Sequence, residues 1–222
     1  LWAAGGTLDR PGRMQRQLAF LLSFCGFFTV GLLVTRYGGT LPGDAISRVQ
    51  AAQSVWFGRD PHLESIGFIW GPFPTVFEVP LVWFRSIWAP MTGDAVAAVI
   101  VSALFMAGLV NQVIRWGEES GAPSVMRLAV ALCVVAHPLI WVYGANGMSE
   151  ACWLFFLAVL ARRLALWTET HDVRHLTYAG IAAGAPRAPP HIVHTESGGL
   201  RDRRCRGPAG RRRLGRDGAA HH

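Results

Sequence analysis

Residues 66–88 read IGFIWGPFPTVFEVPLVWFRSIW, and whether they cross a membrane decides how the rest of the chain is arranged. The stretch is apolar enough to resemble a span. Yet Pro72, Pro74 and Pro80 lie inside it, together with Glu78 and Arg85. Each proline removes a helix N–H and crowds the carbonyl one turn back, and lipid offers no water to satisfy what is left unpaired. A charge at the bilayer centre costs a further ~3 kcal/mol. The residues therefore predict a juxtamembrane or re-entrant element packed on protein.

Working outward, four stretches approach the ~20 apolar residues needed to cross a bilayer. They are 18–35, which is free of charge until its end, 94–114, 127–145 with His137-Pro138 inside it, and 148–167, broken late by Arg162 and Arg163. Those two arginines can snorkel to headgroups. Residues 1–17 carry Arg10, Arg13 and Arg16 but no small-residue cleavage site follows the apolar run, so the first span reads as a retained anchor. The positive-inside bias puts this N-terminus in the cytoplasm. With 66–88 not crossing, Arg115, Arg127, Arg162, Arg163 and Arg174 all fall on the cytoplasmic side as well. If 66–88 crossed, they would fall outside. The predicted fold is all-α: a polytopic membrane helix bundle whose extracytoplasmic loop bears a juxtamembrane amphipathic helix, in the cell membrane.

Composition agrees. Of 222 residues, 51% are hydrophobic and 16% charged, so disorder of the whole chain is excluded. There is no Lys. Twelve Arg face eleven acids in residues 1–184, against nine Arg and three acids in 185–222, so the basic pI of 10.2 belongs mostly to the tail. The body has no basic stripe interleaved with aromatics, which argues against a nucleic-acid partner. Cys25, Cys133 and Cys152 sit in apolar runs and read as small apolar side chains. No C-x-x-C, metal-ligand spacing, G-x-S-x-G or phosphate loop is present, so neither cofactor nor divalent metal is indicated.

The topology brings two acids to one face. Asp44 opens a helical stretch to Phe57 in which Ala45, Val49, Ala52 and Trp56 form an apolar stripe, and Ser47, Gln50 and Ser54 a polar one. Such a helix would lie in the interface plane with Trp56 and Phe57 as anchors. Asp44 is either a cap or first-turn acid favoured by free backbone N–H groups, or a base. Arg48 either pairs with Asp44 four residues away or, like Arg59, contacts a phosphate. Glu150 heads the fourth span, as a first-turn acid or as a functional partner of Asp44. His62 reads as a solvated loop residue, and His137-Pro138 as a kink with the ring hydrogen-bonded inside the bundle.

In this order the motifs resemble the start of the GT-C integral-membrane glycosyltransferases, of the protein O-mannosyltransferase and aminoarabinose-transferase type. Gly43-Asp44-Ala45-Ile46-Ser47-Arg48 resembles the first-loop acid motif. Trp70-Gly71-Pro72-Phe73-Pro74-Thr75 resembles the proline-rich segment, and HPLIWVYGANGMSE, residues 137–150, the segment with a second outer acid. That acid is usually Asp, so Glu150 departs from the pattern. The resemblance spans about residues 15–184 and implies a polyprenyl-phosphate sugar as donor, a lipid bilayer as surroundings, and inverting transfer to an acceptor hydroxyl. It implies Asp44 as base, Glu150 as its support, and Arg48 or Arg59 at the leaving phosphate. Two other readings stand beside it: a non-catalytic multi-pass protein or inactive truncated product, and a transporter with Glu150 and His137 on an ion path.

After Gly184 the character changes. Residues 174–184 begin like a further span that stops short, and 185–222 hold no aromatic residue. The stretch predicts a disordered Arg-rich tail, either native and held by anionic lipid or an out-of-frame product of a GC-rich gene. Leu1 in place of Met points to an incomplete start or an unusual start codon.

Overall fold

The structure is a computed structural model and describes residues 13–38, 42–66 and 72–185. These belong to one compact unit, Leu1–Pro190. The predicted tail, apart from Ala185, and Trp70-Gly71 of the proline-rich motif lie outside the described residues.

The described residues are helical and contain no strand. In chain order the helices are α1 (Arg13–Tyr37), α2 (Gly43–Phe57), α3 (Phe73–Glu78), α4 (Pro90–Gly93), α5 (Val96–Glu119), α6 (Ser124–Ala136), α7 (Pro138–Ala145), α8 (Glu150–Thr170) and α9 (Val173–Gly184). Three are long and apolar enough to cross a membrane: Arg16–Tyr37 within α1, α5 and α8. At 1.5 Å per residue the 24 residues of α5 reach about 36 Å. α5 is the hub. Ala97, Ala98, Ala103 and Ala107 are fully buried along it, whereas Leu22, Leu132 and Leu157 stay exposed on the surrounding helices. Small residues inside and large apolar ones outside are what lipid-facing helices show. The pattern is compatible with a membrane protein.

Side-chain contacts fix the directions. At one end of the bundle, the loop end, Arg36 pairs with Asp94 at 3.7 Å; at the other, Arg16 pairs with Glu118 at 2.9 Å. α1 and α5 are therefore antiparallel. The Ser102 hydroxyl donates to the Met148 carbonyl at 3.2 Å near the start of α8, and Arg162 donates two 2.7 Å bonds to Glu119 further along. α8 thus runs parallel to α5. α6 and α7 carry the chain back between them.

The span expected at 127–145, with a kink at His137-Pro138, is sharply broken there. It is two helices bent by 66°. Pro138 supplies no N–H, and the residue before a proline is driven out of the helical region; His137 sits at φ −73°, ψ 124°. The kink is as expected, but His137 is exposed and its ring has no hydrogen-bond partner among the described residues. Arg162 also departs from expectation. It is buried at 5% exposure, bonded to Glu119 and to Gln112, and does not snorkel. The short stretch at 174–184 is α9, which folds back on α8. Asp172 accepts from the Arg174 N–H at 2.9 Å as its cap, and the Arg163 guanidinium lies 4.7 Å from the Tyr178 ring.

The described part of 66–88 breaks into short pieces, none long enough to span. α3 runs alongside α5 and α8, with Phe73 against Phe156 and Phe77 against Phe105 at ring separations of 5.0 and 5.4 Å. Phe105 lies nine residues into α5, about 14 Å from its start. The chain then closes back on α2. The Trp56 indole donates to the Val79 carbonyl at 3.0 Å, and Arg85 lies 3.6 Å from the Phe57 ring centre. It enters α5 at the loop end, where α1 finished.

α2 is helical as expected but does not present its stripe to an interface. Ala45, Val49 and Ala52 are buried in one cluster with Val79, Val82 and the start of α5. Val55, not Trp56, takes the fourth buried position, and Trp56 stays 46% exposed. The reason is geometric: positions ten and eleven residues after Ala45 lie close to the same helix face, and the packed neighbours choose between them.

Candidate acid and arginine site at the loop end

The α7–α8 turn and the first turn of α2 meet at the loop end. Gly147 makes this contact, with φ +75° and so little room that an added Cβ would stand 3.2 Å from Ala45 Cβ and 3.0 Å from Ala98 Cβ. A left-handed backbone and a close approach both call for glycine here. Asn146 Oδ1 accepts from the Met148 N–H at 2.9 Å and holds the turn. Asp44, next to Ala45, and Glu150, three residues after Gly147, are thereby brought to one end of the bundle.

Asp44 is the second residue of α2, not its cap; Pro42 holds that position and makes no side-chain cap bond. Nor does Asp44 pair with Arg48: among the described residues, its carboxylate has neither hydrogen bond nor ion pair. Glu150 is the first residue of α8, and its Oε2 is buried without a hydrogen-bond partner. Both acids are first-turn residues, where the helix N-terminus favours negative charge.

Arg48 points inward. It is 4% exposed, and its Nε and Nη1 have no hydrogen-bond partner. Its charge reaches Glu78 at the end of α3 and Cys152 in the first turn of α8. Glu78 is itself 1% exposed with Oε2 unpartnered. Burial pushes the Glu78 carboxyl up to about 8, with Arg48 drawing it partly back down. Sequence reasoning passed over Glu78. The signal was there: a lone acid inside an apolar, proline-rich stretch judged to pack on protein. Arg48 falls three residues after Ala45 on the same face, but what that face packs against is not written locally.

Arg59 does not join this group. It is exposed beyond the C-terminal end of α2, about 20 Å along the helix from Asp44. Between α1 and α7 an apolar cleft of about 350 Å³, lined by Val30, Val34 and Trp141 among others, runs up to Pro42 and Asn146 beside the two acidic turns. Among the described residues no group of three His, Cys, Asp or Glu is placed to hold a metal. Chemically, the loop end combines an uncommitted carboxylate, a second acid and a buried, under-bonded guanidinium.

No known protein family, curated protein or solved structure matches this chain.

Proposed function

We propose that the chain corresponds to the N-terminal portion of a membrane glycosyltransferase of the GT-C kind. It would move a sugar from a polyprenyl-phosphate donor to an acceptor hydroxyl at the extracytoplasmic face. The observation that carries this reading is the Ala45–Gly147 contact, which brings the turns of Asp44 and Glu150 together from distant parts of the chain. Two of the three short motifs that resemble the family, residues 43–48 and 137–150, include these turns.

In this mechanism Asp44 takes the acceptor O–H proton as the oxygen attacks the anomeric carbon. The bond from that carbon to the phosphate oxygen breaks, and the lipid phosphate leaves with inversion. A hydroxyl is a poor nucleophile near neutral pH, so a free carboxylate within reach is needed. Glu150 orients the acceptor or supports Asp44. Arg48 supplies charge to the leaving phosphate. Burial raises the Glu78 carboxyl, so this neighbouring acid offsets that charge less than an exposed carboxylate would. Arg59 stands too far away to share the role. The apolar cleft beside Pro42 suits the first units of a prenyl chain.

The test is transfer of labelled sugar from a polyprenyl-phosphate donor by the reconstituted full chain. Asp44→Asn is expected to slow transfer by about 10²–10⁴-fold, the contribution typical of a general base. Unchanged transfer removes Asp44 as base. No transfer by the wild type returns the chain to the second reading, a non-catalytic multi-pass protein.

A further inference from the structure

We propose a phosphate-binding site at the end of the bundle opposite the acids, in the cleft between α1 and α5, with an anionic phospholipid headgroup as the source its shape favours. The cleft holds about 470 Å³ and is lined by Arg16, Gln17, Phe20, Leu21, Asn111 and Arg115. Arg115 lies within α5, a helix long and apolar enough to cross a membrane. Its Nε is buried without a hydrogen-bond partner, and among the described residues it has no ion pair. A guanidinium partly out of water without a counter-charge is costly, so the geometry calls for an anion.

The acids close by do not supply it. Glu118 Oε2 is taken by Arg16 at 2.9 Å, while its Oε1 is buried and unpartnered, and Glu119 holds Arg162. Asn111 Oδ1 is likewise buried and unpartnered. By turning its amide, Asn111 would offer N–H donors to a bound phosphate. Phe20 and Leu21, one turn further along α1 than Arg16 and Gln17, continue the cleft as apolar surface. Guanidinium groups beside apolar side chains match a lipid: phosphate on the arginines, acyl chain along Phe20 and Leu21. Basic pockets between membrane helices on the cytoplasmic side recognise headgroups in this way. The inference uses the membrane reading of α1 and α5 and is independent of the sugar chemistry.

The full chain is reconstituted in phosphatidylcholine with and without phosphatidylglycerol, and unfolding is followed by circular dichroism. The wild type is expected to gain stability from phosphatidylglycerol, corresponding to about fivefold tighter binding of the anionic lipid. Arg115→Gln should be at least as stable as wild type in phosphatidylcholine, because an unpaired charge is gone, and should gain nothing from phosphatidylglycerol. Arg115→Lys keeps the charge and the gain, and carries the test should Arg115→Gln fail to fold. Residues 185–222 are unchanged throughout, so general attraction of the tail to anionic lipid cancels. Inorganic phosphate added in detergent is the second arm: stabilisation there, lost in Arg115→Gln and without lipid preference, assigns the same arginines to a soluble phosphate. Equal gains in wild type and Arg115→Gln, or no response of the wild type to either probe, overturn the proposal.

Discussion

Gly147 packs beneath Ala45 so closely that a methyl group on residue 147 would stand 3.2 Å from Ala45 Cβ. The contact joins the turn before Glu150 to the turn that carries Asp44. It also sets the first prediction. Gly147→Ala places a side chain at φ +75°, which costs about 1–2 kcal/mol, and pushes the two turns apart. Chemical denaturation in detergent should show that loss, and sugar transfer should fall with it. Full stability in Gly147→Ala would mean the turn is not held as described.

The Arg162–Glu119 pair makes a second prediction. Arg162 is 5% exposed and its hydrogen bonds go to Glu119 and Gln112. Glu119→Ala leaves that charge buried and unpaired, and is expected to cost about 3–5 kcal/mol. Removing both charges in Arg162→Met with Glu119→Gln should recover most of the loss. The double variant proving less stable than Glu119→Ala would contradict the pairing.

Glu78 gives a pH dependence with a definite sign. Its carboxyl is raised from 4.5 to about 8 in the folded chain. Between those values the folded state holds a proton that the unfolded state has released, so Glu78 makes stability fall as pH rises across the window and level off above it. At high pH the charged carboxylate costs on the order of a few kcal/mol. Glu78→Gln should therefore flatten the stability profile between pH 4.5 and 8 and be the more stable chain at the upper end. Unfolding midpoints measured across that range decide it; parallel profiles for the two chains would refute the assignment.

Much of the scaffold was readable from residues. The uninterrupted apolar run at 18–35 and the polar-to-apolar rhythm after Asp44 identify α1 and α2, and Pro72, Pro74 and Pro80 explain why their segment forms only short helices. What was hidden depended on partners far along the chain. Arg162 looked like a snorkelling residue because Glu119, its partner, is 43 positions away. Arg48 looked like a surface charge because nothing local says that α2 turns that face onto α3 and α8. Glu78 was passed over for the same reason: the polarity of its surroundings is set by Arg48, thirty residues earlier. The bend at Pro138 was legible as a kink, but its size of 66° depends on how α7 packs on α1.

The site was legible as a pair of acids and no further. Asp44 and Glu150 as candidates follow from motif order and the expected topology, whereas the choice between Arg48 and Arg59 needs the length and facing of α2. In the structure Arg48 lies inside and Arg59 is exposed at the far end. A further prediction follows. Arg48→Gln should slow transfer while Arg59→Gln leaves it unchanged, read as kcat in the reconstituted assay; the opposite ranking would move the phosphate contact to Arg59.

The most direct test of the account is the side of the membrane on which the two acids stand. In a chain with Cys25, Cys133, Cys152 and Cys205 replaced by Ala, single cysteines are placed at Asp44, Glu150 and Ser120, and sealed cells are treated with a membrane-impermeant thiol reagent. Labelling at positions 44 and 150 from outside, with position 120 labelled only after permeabilisation, is the predicted result. Position 44 labelled from outside and position 150 only from within would separate the acids and contradict a shared site.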